Sequence, residues 1–495
     1  MDQQQKQKFL SDPRGLMIAP AGHGKTYAIA DMVKYVTSSK KQLVLTHTHA
    51  GISSIRKKMQ ILQVSSDKYQ LDTICGFIQR YVVAFVPRES LLPQTDKCYY
   101  DDIQHKAVEL FRNKIIQKIV AGTYSRLYVD EYQDCTIMQH LVIESLADLF
   151  PTHLFGDPLQ AIFNFGNNQI VNFNSQLSTF THYEYLEEPW RWKKDGNCEA
   201  LGQEIFAARK EIEATNSITL QTDLNSHLYI YIHDHITTNN RIDFLRSLGD
   251  KLKDISTSST LIIMPPFIDE GKYRGNIYDR ISMKQIFDFA NQYVLLEALD
   301  ANDYYKMANE IDLFIKDCQG TMNKNNICAK FIDIFIKLSF KSKDIRFWLT
   351  EKQVIKKRGQ YSDHAKYLAN VIANFIKNTS LATFYSILQF FYQVRKYKGS
   401  RPDLLASIHS CVKSAINNNK TIYQEMVEYK NRLRHIGRKV EGRCFGTTLL
   451  TKGLEFDTVV LLHADRITSP CDFYVAISRA CKNLYIFTED DRLTF

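Results

Sequence analysis

The sequence predicts an α/β protein built on two doubly wound parallel sheets, with a mainly helical segment inserted into the second. Short apolar runs that end in polar residues and alternate with helical segments are typical of such sheets. The first series lies at 15–19, 42–46, 126–129 and 153–155, and the second at 260–264, 458–463 and 484–488. Because the chain has 495 residues, it can form two or more hydrophobic cores.

The spacing of these runs predicts the domain organisation. We expect a first lobe at 1–185, the start of a second lobe at 186–286, a helical insertion at 287–438 and the end of the second lobe at 439–495. The predicted insertion is rich in Lys, Asn, Phe and Ile at helical spacing and has few turn signals. Only about fifty residues separate Phe77 from Asp130, so any insertion in the first lobe is expected to be small.

The composition is that of a mildly basic protein with many aromatic residues. The formal net charge is +9, and the chain contains 27 Tyr and 29 Phe. This balance fits phosphate-bearing partners and single-stranded nucleic acid, although most aromatic residues only fill cores. The ten cysteines show no metal-ligand spacing, so we expect reduced thiols. Because no signal peptide or membrane span is evident, a cytoplasmic protein without membrane contact is expected.

The strongest local signal is the segment Pro20-Ala21-Gly22-His23-Gly24-Lys25-Thr26, which lies between a predicted strand and a predicted helix. Its glycines let backbone N–H groups surround phosphates, and the helix N-terminus favours negative charge. Lys25 is expected at the β- and γ-phosphates of ATP, and Thr26 at Mg²⁺. His23 is interpreted as tolerated rather than catalytic. For this loop alone, an ordinary strand–turn–helix connection is the alternative.

Two further loops follow apolar strands in the same half of the chain. Asp130 and Glu131 end the run at 126–129, where one carboxylate can hold Mg²⁺ and the other can activate the attacking water. The segment 156–160 ends in Gln160, which could sense the γ-phosphate or its water. A lone acidic turn would be unremarkable, but three such loops in order disfavour a purely structural interpretation.

These loops resemble motifs of the UvrD/Rep-like superfamily 1 DNA helicases. The family's DExQD motif corresponds to 130–134, its GDPxQ motif to 156–160, its KGLEFD motif to 452–457 and its last motif to 474–480. Weaker matches occur at 46–49, 72–77 and 186–191. The resemblance spans 1–495, although the central segment contributes no motif. It implies two RecA-like lobes with ATP between them, Mg²⁺ as cofactor and single-stranded DNA as partner.

The resemblance also implies a set of site residues. The catalytic residues would be Lys25, Asp130, Glu131, Gln160, Arg191 and Arg479, the last two as arginine fingers. The ATP-binding residues would be Gln5, Ala21, Gly22, His23, Gly24, Lys25, Thr26, Gly453 and Glu455, and the Mg²⁺ ligands Thr26 and Asp130. The DNA-binding residues would be Thr48, His49, Thr73, Phe165 and Thr447.

Some of these assignments have alternatives. The resemblance implies that a glutamine near the N-terminus recognises adenine, and Gln4 and Gln7 are alternatives to Gln5 for this role. Phe165 could be a core residue instead of a DNA-binding one. Arg191 could form a surface salt bridge, and Trp190 could be a packing residue.

The chain departs from the family pattern at two positions that face DNA. The customary His of motif V is absent from Thr447-Thr448-Leu449-Leu450, and Gly166 stands where motif III usually has Arg. These differences affect coupling to DNA more than ATP hydrolysis. No nuclease motif follows 474–480, so we expect a pared-down motor.

The first functional hypothesis is an ATP-dependent translocase or helicase that moves 3′ to 5′ on single-stranded DNA. The alternative is an ATP- and DNA-sensing regulatory subunit of a nuclease complex, similar in size and architecture to the helicase-like subunit of Gabija anti-phage defence systems. An inactive scaffold is disfavoured because five residues expected to decay without hydrolysis are all present: Lys25, Glu131, Gln160, Arg191 and Arg479.

Overall fold

The structure is a computed structural model in which the chain forms two compact units. One unit comprises Met1–Leu296 and Gly437–Phe495, and the other comprises Glu297–Ile436. The structure describes residues 1–92, 98–162, 169–194, 196–237, 239–255, 258–269, 272–288, 290, 292–297, 302–319, 327–397, 399–436, 440 and 442–495, with the backbone alone at 49–50, 268–269, 272–274, 431 and 434–436. No helix among these residues is both long and apolar enough to cross a bilayer.

A sheet of six parallel strands forms the first half of the larger unit. Its strands are β1 (Arg14–Ile18), β2 (Lys41–Thr46), β3 (Tyr69–Thr73), β4 (Tyr124–Val129), β5 (Thr152–Gly156) and β6 (Thr181–Tyr183). Their order in the sheet is β3-β2-β4-β5-β1-β6, and every neighbouring pair is parallel. This order places β4, β5 and β1 side by side.

Helices cover both faces of this first sheet. They are α1 (Gln3–Ser11), α2 (Lys25–Tyr35), α3 (His49–Ile61), α4 (Ile74–Phe85), α5 (Tyr99–Arg112), α6 (Lys114–Thr123), α7 (Ile137–Ala147) and α8 (Phe173–Gln176). Leu127 and Val129 of β4 enter one hydrophobic core, whereas Tyr128 enters another. Because alternate side chains of a strand are buried on opposite faces, the sheet is doubly wound, as the sequence predicts.

The second half of the larger unit contains another sheet of six parallel strands. The strands after β6 are β7 (Ser217–Thr219), β8 (Leu228–Ile232), β9 (Thr260–Ile263), β10 (Phe267–Asp269), β11 (Lys272–Arg274), β12 (Val294–Leu295), β13 (Arg443–Gly446), β14 (Phe456–Leu461), β15 (Ala480–Thr488) and β16 (Arg492–Thr494). The sheet has the order β12-β13-β9-β14-β15-β8, while β7 pairs with β16 and β10 with β11. The predicted α/β architecture with two parallel sheets is therefore confirmed.

The first helices of this second half are α9 (Glu199–Thr215), α10 (Arg241–Ile255) and α11 (Ile277–Phe287). The structure differs from the sequence analysis at the start of the insertion. The expected boundary at residue 287 precedes β12, which still belongs to the second sheet. With only two residues, β12 carries no readable periodicity, so its pairing with β13 could not be recognised from the sequence.

The unit Glu297–Ile436 is helical and has its own hydrophobic core. Its helices are α12 (Asn302–Gln319), α13 (Ile327–Lys337), α14 (Ser342–Arg346), α15 (Ser362–Lys377), α16 (Leu381–Gln389), α17 (Pro402–Asn418) and α18 (Ile422–Ile436). A π-helical turn at Phe390–Val394 follows α16. Phe390 and Phe391 of this turn are buried, and the Arg395 guanidinium lies 5.0 Å from the centre of the Trp348 ring. Aromatic and basic side chains therefore pack together inside this unit.

Two short helices complete the larger unit: α19 (Thr448–Thr451) follows β13, and α20 (Pro470–Ile477) precedes β15.

The N-terminal helix α1 is held to the first sheet by a buried histidine. The His153 Nε2 lies 2.9 Å from the carbonyl oxygen of Phe9, and the two rings meet edge to face with centroids 4.7 Å apart. The helix therefore has a fixed position beside β5, although its own sequence is mostly polar.

We expect acid to destabilise the first half of the larger unit through this histidine. Burial, aided by the neighbouring Arg126 guanidinium, lowers the pKa of His153 to about 3. Since an unfolded histidine takes up a proton near pH 6.5, the unfolded state binds more protons below that pH, and stability falls as the pH drops toward the folded pKa. His153→Gln should therefore flatten the dependence of melting temperature on pH between about pH 7 and about pH 5.

Calorimetric melting of both proteins across this pH range measures the effect. His182→Gln is the matched control because His182 is exposed on β6. Equal pH dependence in the His153→Gln variant and the unsubstituted chain would contradict the assignment.

Candidate nucleotide-binding site

Three loops meet at one edge of the first sheet. The phosphate loop follows β1, Asp130 and Glu131 follow β4, and Asp157 follows β5. Because these strands are parallel neighbours, their carboxyl ends lie side by side, where ligands of open α/β sheets bind. The three predicted loops are thereby brought together.

The phosphate loop depends on glycine conformations. Gly22 and Gly24 have φ angles of +73° and +86°, in the left-handed region that suits glycine. A Cβ atom at Gly22 would lie 2.7 Å from Trp192 Cζ3 and 2.9 Å from Arg191 Cβ. The Ala21 N–H donates to Tyr474 Oη at 3.0 Å. The loop is therefore closely packed against side chains from the later part of the chain.

The Lys25 ammonium is buried at the centre of the site. Its Nζ donates to the carbonyl oxygens of Ala19 at 2.7 Å and Pro20 at 3.1 Å. Burial lowers the pKa of Lys25, while the Asp157 and Glu131 carboxylates oppose that shift. The Lys25 ammonium is thus bound by carbonyl oxygens of the phosphate loop and lies near the Asp157 and Glu131 carboxylates.

Thr26 and Asp130 form the predicted metal-ligand pair. Thr26 Oγ1 donates to Asp130 Oδ2 at 3.1 Å. Burial and the neighbouring Glu131 raise the pKa of Asp130 to about 7. Among the described residues no group of three or more His, Cys, Asp or Glu side chains could hold a metal ion. A hydroxyl, a carboxylate and phosphate oxygens make a suitable donor set for Mg²⁺, which usually keeps several waters, so these residues fit that ion.

Glu131 has an unusual backbone conformation. Its φ is +56° and its ψ is +42°, in the left-handed region. Burial would raise the pKa of Glu131, but the Lys452 and Lys25 ammonium groups outweigh it, so the pKa lies below its usual value. The Gln133 side-chain amide also donates to the carboxylate. Glu131 is therefore held as a partly buried, ionised carboxylate.

Arg479 reaches the first sheet from the second half. Its Nη2 donates to Gln160 Oε1 at 3.4 Å, and its Nε donates to the Val475 carbonyl oxygen at 2.9 Å. Burial, with Arg191 nearby, lowers the pKa of Arg479 to about 10. The structure thus brings Gln160 and Arg479 together, as expected from the sequence.

Arg191 approaches the same site through its backbone and its guanidinium. Its N–H donates to the Gly22 carbonyl oxygen at 3.0 Å, and its Nη2 lies 3.1 Å from Glu455 Oε1. The guanidinium also donates to the Ser478 carbonyl oxygen. Arg191 is buried rather than a surface residue, so the surface salt-bridge alternative is wrong.

Lys452 is a contact that the sequence analysis missed. Its Nζ donates to both carboxylate oxygens of Asp134, at 2.5 and 2.6 Å, and to the Gln160 carbonyl oxygen at 2.5 Å. It lies within the 452–457 motif, in which only Gly453 and Glu455 were assigned. A lysine next to a motif glycine was the available signal, but its partner is 318 residues away in the chain.

The remaining predicted nucleotide residues have varied surroundings. Gln5 Oε1 accepts from the Asp2 N–H at 2.9 Å and thereby caps α1. His23 is buried, with its Nδ1 2.7 Å from the Ala21 carbonyl oxygen.

Gly453 has a φ of +78°, and no atom of the described residues beyond its chain neighbours lies within 4 Å of the position that a Cβ atom would take there. Trp190 is 55% exposed and lies beside Gly24, whereas Trp192 is buried.

Three predicted DNA residues lie at the carboxyl ends of strands. Thr48 Oγ1 and Thr73 Oγ1 each accept a backbone N–H at the start of a helix, from Gly51 and Gly76. Thr447 directly precedes α19. Phe165 and the side chain of His49 lie outside the described residues, as does Gly166.

Comparison with known protein families gives two matches. A model described as the UvrD/REP helicase N-terminal domain matches residues 89–181. A model described as the viral superfamily 1 RNA helicase core domain matches residues 358–488.

Curated relatives match parts of the chain. An ATP-dependent helicase/nuclease subunit of Streptococcus uberis is 27% identical over 143 residues, which are 28% of this chain and 11% of the relative. The exonuclease/helicase subunit RexA of Lactococcus lactis subsp. cremoris is 24% identical over 174 residues, 34% of this chain and 14% of the relative. The RecBCD enzyme subunit RecB of Buchnera aphidicola subsp. Acyrthosiphon pisum is 30% identical over 176 residues, also 34% and 14%. The matches thus span 11 to 14% of these relatives' length.

Two solved structures of the arterivirus nonstructural protein 10 helicase, one of them with DNA, also match. Each is 10% identical and covers 97% of this chain, with TM-scores of 0.31 and 0.36 over 61% and 63% of the viral chains.

The two parallel sheets and the loops at the edge of the first give the α/β architecture that the sequence predicts. Residues 89–181 thus resemble the N-terminal domain of UvrD/REP helicases, and parts of the chain are similar to helicase/nuclease subunits.

We expect Gly22→Ala to damage the phosphate loop. The added Cβ would clash with Trp192 and force alanine into a left-handed conformation, at a cost of about 1–3 kcal/mol. Binding of a fluorescent ATP analogue should weaken roughly tenfold or more, which a fluorescence titration measures. Gly122→Ala is the control because it lies in α6 with nothing within 4 Å of its Cβ position; equal binding by both variants would contradict the prediction.

Proposed function

We propose that this chain hydrolyses ATP and uses the reaction to move along single-stranded DNA. The observation that carries the proposal is the meeting of Arg191 and Arg479 with the phosphate loop and Gln160. Guanidinium groups stabilise charge on a transferring phosphoryl group only when they are close to it. Two such groups from the second half of the larger unit reach the loops that carry Lys25 and Gln160, which supports a hydrolytic site.

The roles of the individual groups follow from their positions. Thr26 and Asp130 would hold Mg²⁺, which neutralises phosphate charge when it is bound. Glu131, kept ionised by Lys452 and Lys25, would accept a proton from the attacking water. Gln160 would orient that water or the γ-phosphate.

Hydrolysis and movement are linked because the site is shared between the two sheets. Product release would remove negative charge from a boundary that contains several cations, and the contacts across it would weaken. Thr48, Thr73 and Thr447 all lie at carboxyl ends of strands, Thr48 and Thr73 in the first half and Thr447 in the second. A DNA strand that contacts these ends in both halves would be pulled as the halves separate and close.

We expect single-stranded DNA to stimulate ATP hydrolysis and Glu131→Gln to abolish most of it. The amide cannot accept the proton, so kcat should fall roughly 100-fold or more while ATP still binds. A steady-state ATPase assay with increasing DNA concentration measures both effects.

Glu109→Gln is a suitable control because Glu109 is exposed on α5 and lies outside the predicted site. A rate that does not respond to DNA in the unsubstituted chain would reject the motor. A Glu131→Gln rate equal to that of the control would reject the assigned base.

We further propose movement from 3′ to 5′, because the motif III and motif VI segments resemble that branch of the family. A partial duplex with a 3′ overhang should be unwound, whereas one with only a 5′ overhang should not. Strand displacement with the two substrates measures the direction, and unwinding from the 5′ overhang alone would overturn it.

Regulation of a separate nuclease is the second candidate function. It is supported by the names of the relatives, which describe helicase/nuclease subunits, but the assembled hydrolytic groups favour an active motor. Co-purification of a nuclease with a chain that unwinds poorly would support this alternative and its link to anti-phage defence.

A further inference from the structure

Helix α9 carries a buried cation, Arg209, that binds a loop of the first sheet. Its Nη1 donates to Asp157 Oδ1 at 2.5 Å. Both side chains are withdrawn from solvent, with exposures of 6% and 0%. Asp157 directly follows β5, so this ion pair joins the two halves of the larger unit, yet neither residue belongs to the predicted catalytic set.

The Asp157 carboxylate also holds Gln160. Gln160 Nε2 donates to Asp157 Oδ2 at 2.6 Å, while Gln160 Oε1 accepts from Arg479 at 3.4 Å. One carboxylate therefore binds Arg209 through one oxygen and Gln160 through the other. We call Arg209, Asp157 and Gln160 the sensor clamp.

Helix α9 contacts the phosphate loop as well. The Arg209 guanidinium lies 5.3 Å from the centre of the Tyr474 ring, whose hydroxyl accepts the Ala21 N–H. One turn earlier on α9, the Phe206 ring lies 5.5 Å from the His23 ring. The same helix thus touches both loops that would surround the γ-phosphate.

An ion pair suits a boundary that must open repeatedly. A buried pair adds little net stability because its attraction is offset by the loss of hydration of both charges. When the two halves separate, water can solvate Arg209 and Asp157 again. An apolar contact of similar size would resist separation more strongly, because exposing apolar surface to water is unfavourable.

We propose that Arg209 is a positioning residue for ATP hydrolysis, acting on Gln160 through Asp157. In the closed arrangement Arg209 fixes Asp157, and Asp157 fixes the amide of Gln160. When the halves separate, the clamp opens and Gln160 is no longer held. This inference rests on the proposed ATPase function and adds to it the group that makes the sensor dependent on closure.

The test compares ATP hydrolysis by Arg209→Met and by the matched control Lys210→Met in the full chain. Lys210 is exposed on the same helix, and its substitution removes the same charge. Arg209→Met should lower kcat roughly 10- to 100-fold, since a misplaced group can cost that much, and should change KM for ATP by less than about threefold. Arg209→Lys, which can make a single bond to Asp157, should retain part of the lost rate.

If Arg209 positions Gln160, the effect of Arg209→Met on kcat should depend on the presence of Gln160. A general structural effect of the substitution would not depend on it. In a Gln160→Ala background, Arg209→Met should lower kcat by less than about threefold, because the residue through which it acts is already gone. A similar fall in both backgrounds would overturn the proposal.

Loss of the cation alone leaves Asp157 buried without its partner, so the single variant could unfold. The double variant Arg209→Met/Asp157→Asn removes both charges and should fold, as circular dichroism melting shows, while its kcat stays low. Recovery of the full rate in the double variant would overturn the clamp.

The outcomes distinguish the two proposals. An unsubstituted chain that hydrolyses ATP, with equal kcat in Arg209→Met and Lys210→Met, overturns only the sensor clamp. An unsubstituted chain that does not hydrolyse ATP overturns the proposed function and the clamp with it.

Discussion

The compensation of buried charges between the two sheets is the constraint on which the rest of the site depends. Moving one charged group out of water costs several kcal/mol unless a group of opposite sign faces it. Asp134 from the first half is therefore stable in its buried position because Lys452 from the second half binds it. Asp157 and Arg209 repeat the arrangement a short distance away. Each of these buried charges is therefore matched by a partner from the other half.

The surrounding charges also shift the pKa values of two adjacent carboxylates, Asp130 and Glu131, in opposite directions. Burial and a like charge raise the pKa of Asp130, whereas nearby ammonium groups lower that of Glu131. The left-handed backbone of Glu131 separates the two residues conformationally, since the Asp130 N–H still donates to the Leu45 carbonyl oxygen of β2 at 2.9 Å. The pKa values of these sequence neighbours are thus shifted in opposite directions, which suits the two different roles proposed for them.

Sequence reasoning located the loops of the site because each depends on a local pattern of strand, loop and helix. The order of the strands then brought these loops together, which is a general property of parallel sheets. Lys452 and Arg209 were not assigned, since their roles arise from partners in the other half of the unit. The local sequence pattern also did not predict β12, because this two-residue strand is recognised only by its pairing with β13. Long-range pairing is the information that a single sequence does not contain.

The helical unit has a consequence for how this fold can diversify. It connects β12 to β13, which are adjacent and parallel in the second sheet. Such a pair needs a crossover of only about a dozen residues, yet here the connection is a body with its own core. Evolution can therefore replace or enlarge that body without shifting any strand register. New recognition properties can arise there while the two sheets and the proposed ATP-hydrolysis site are inherited unchanged.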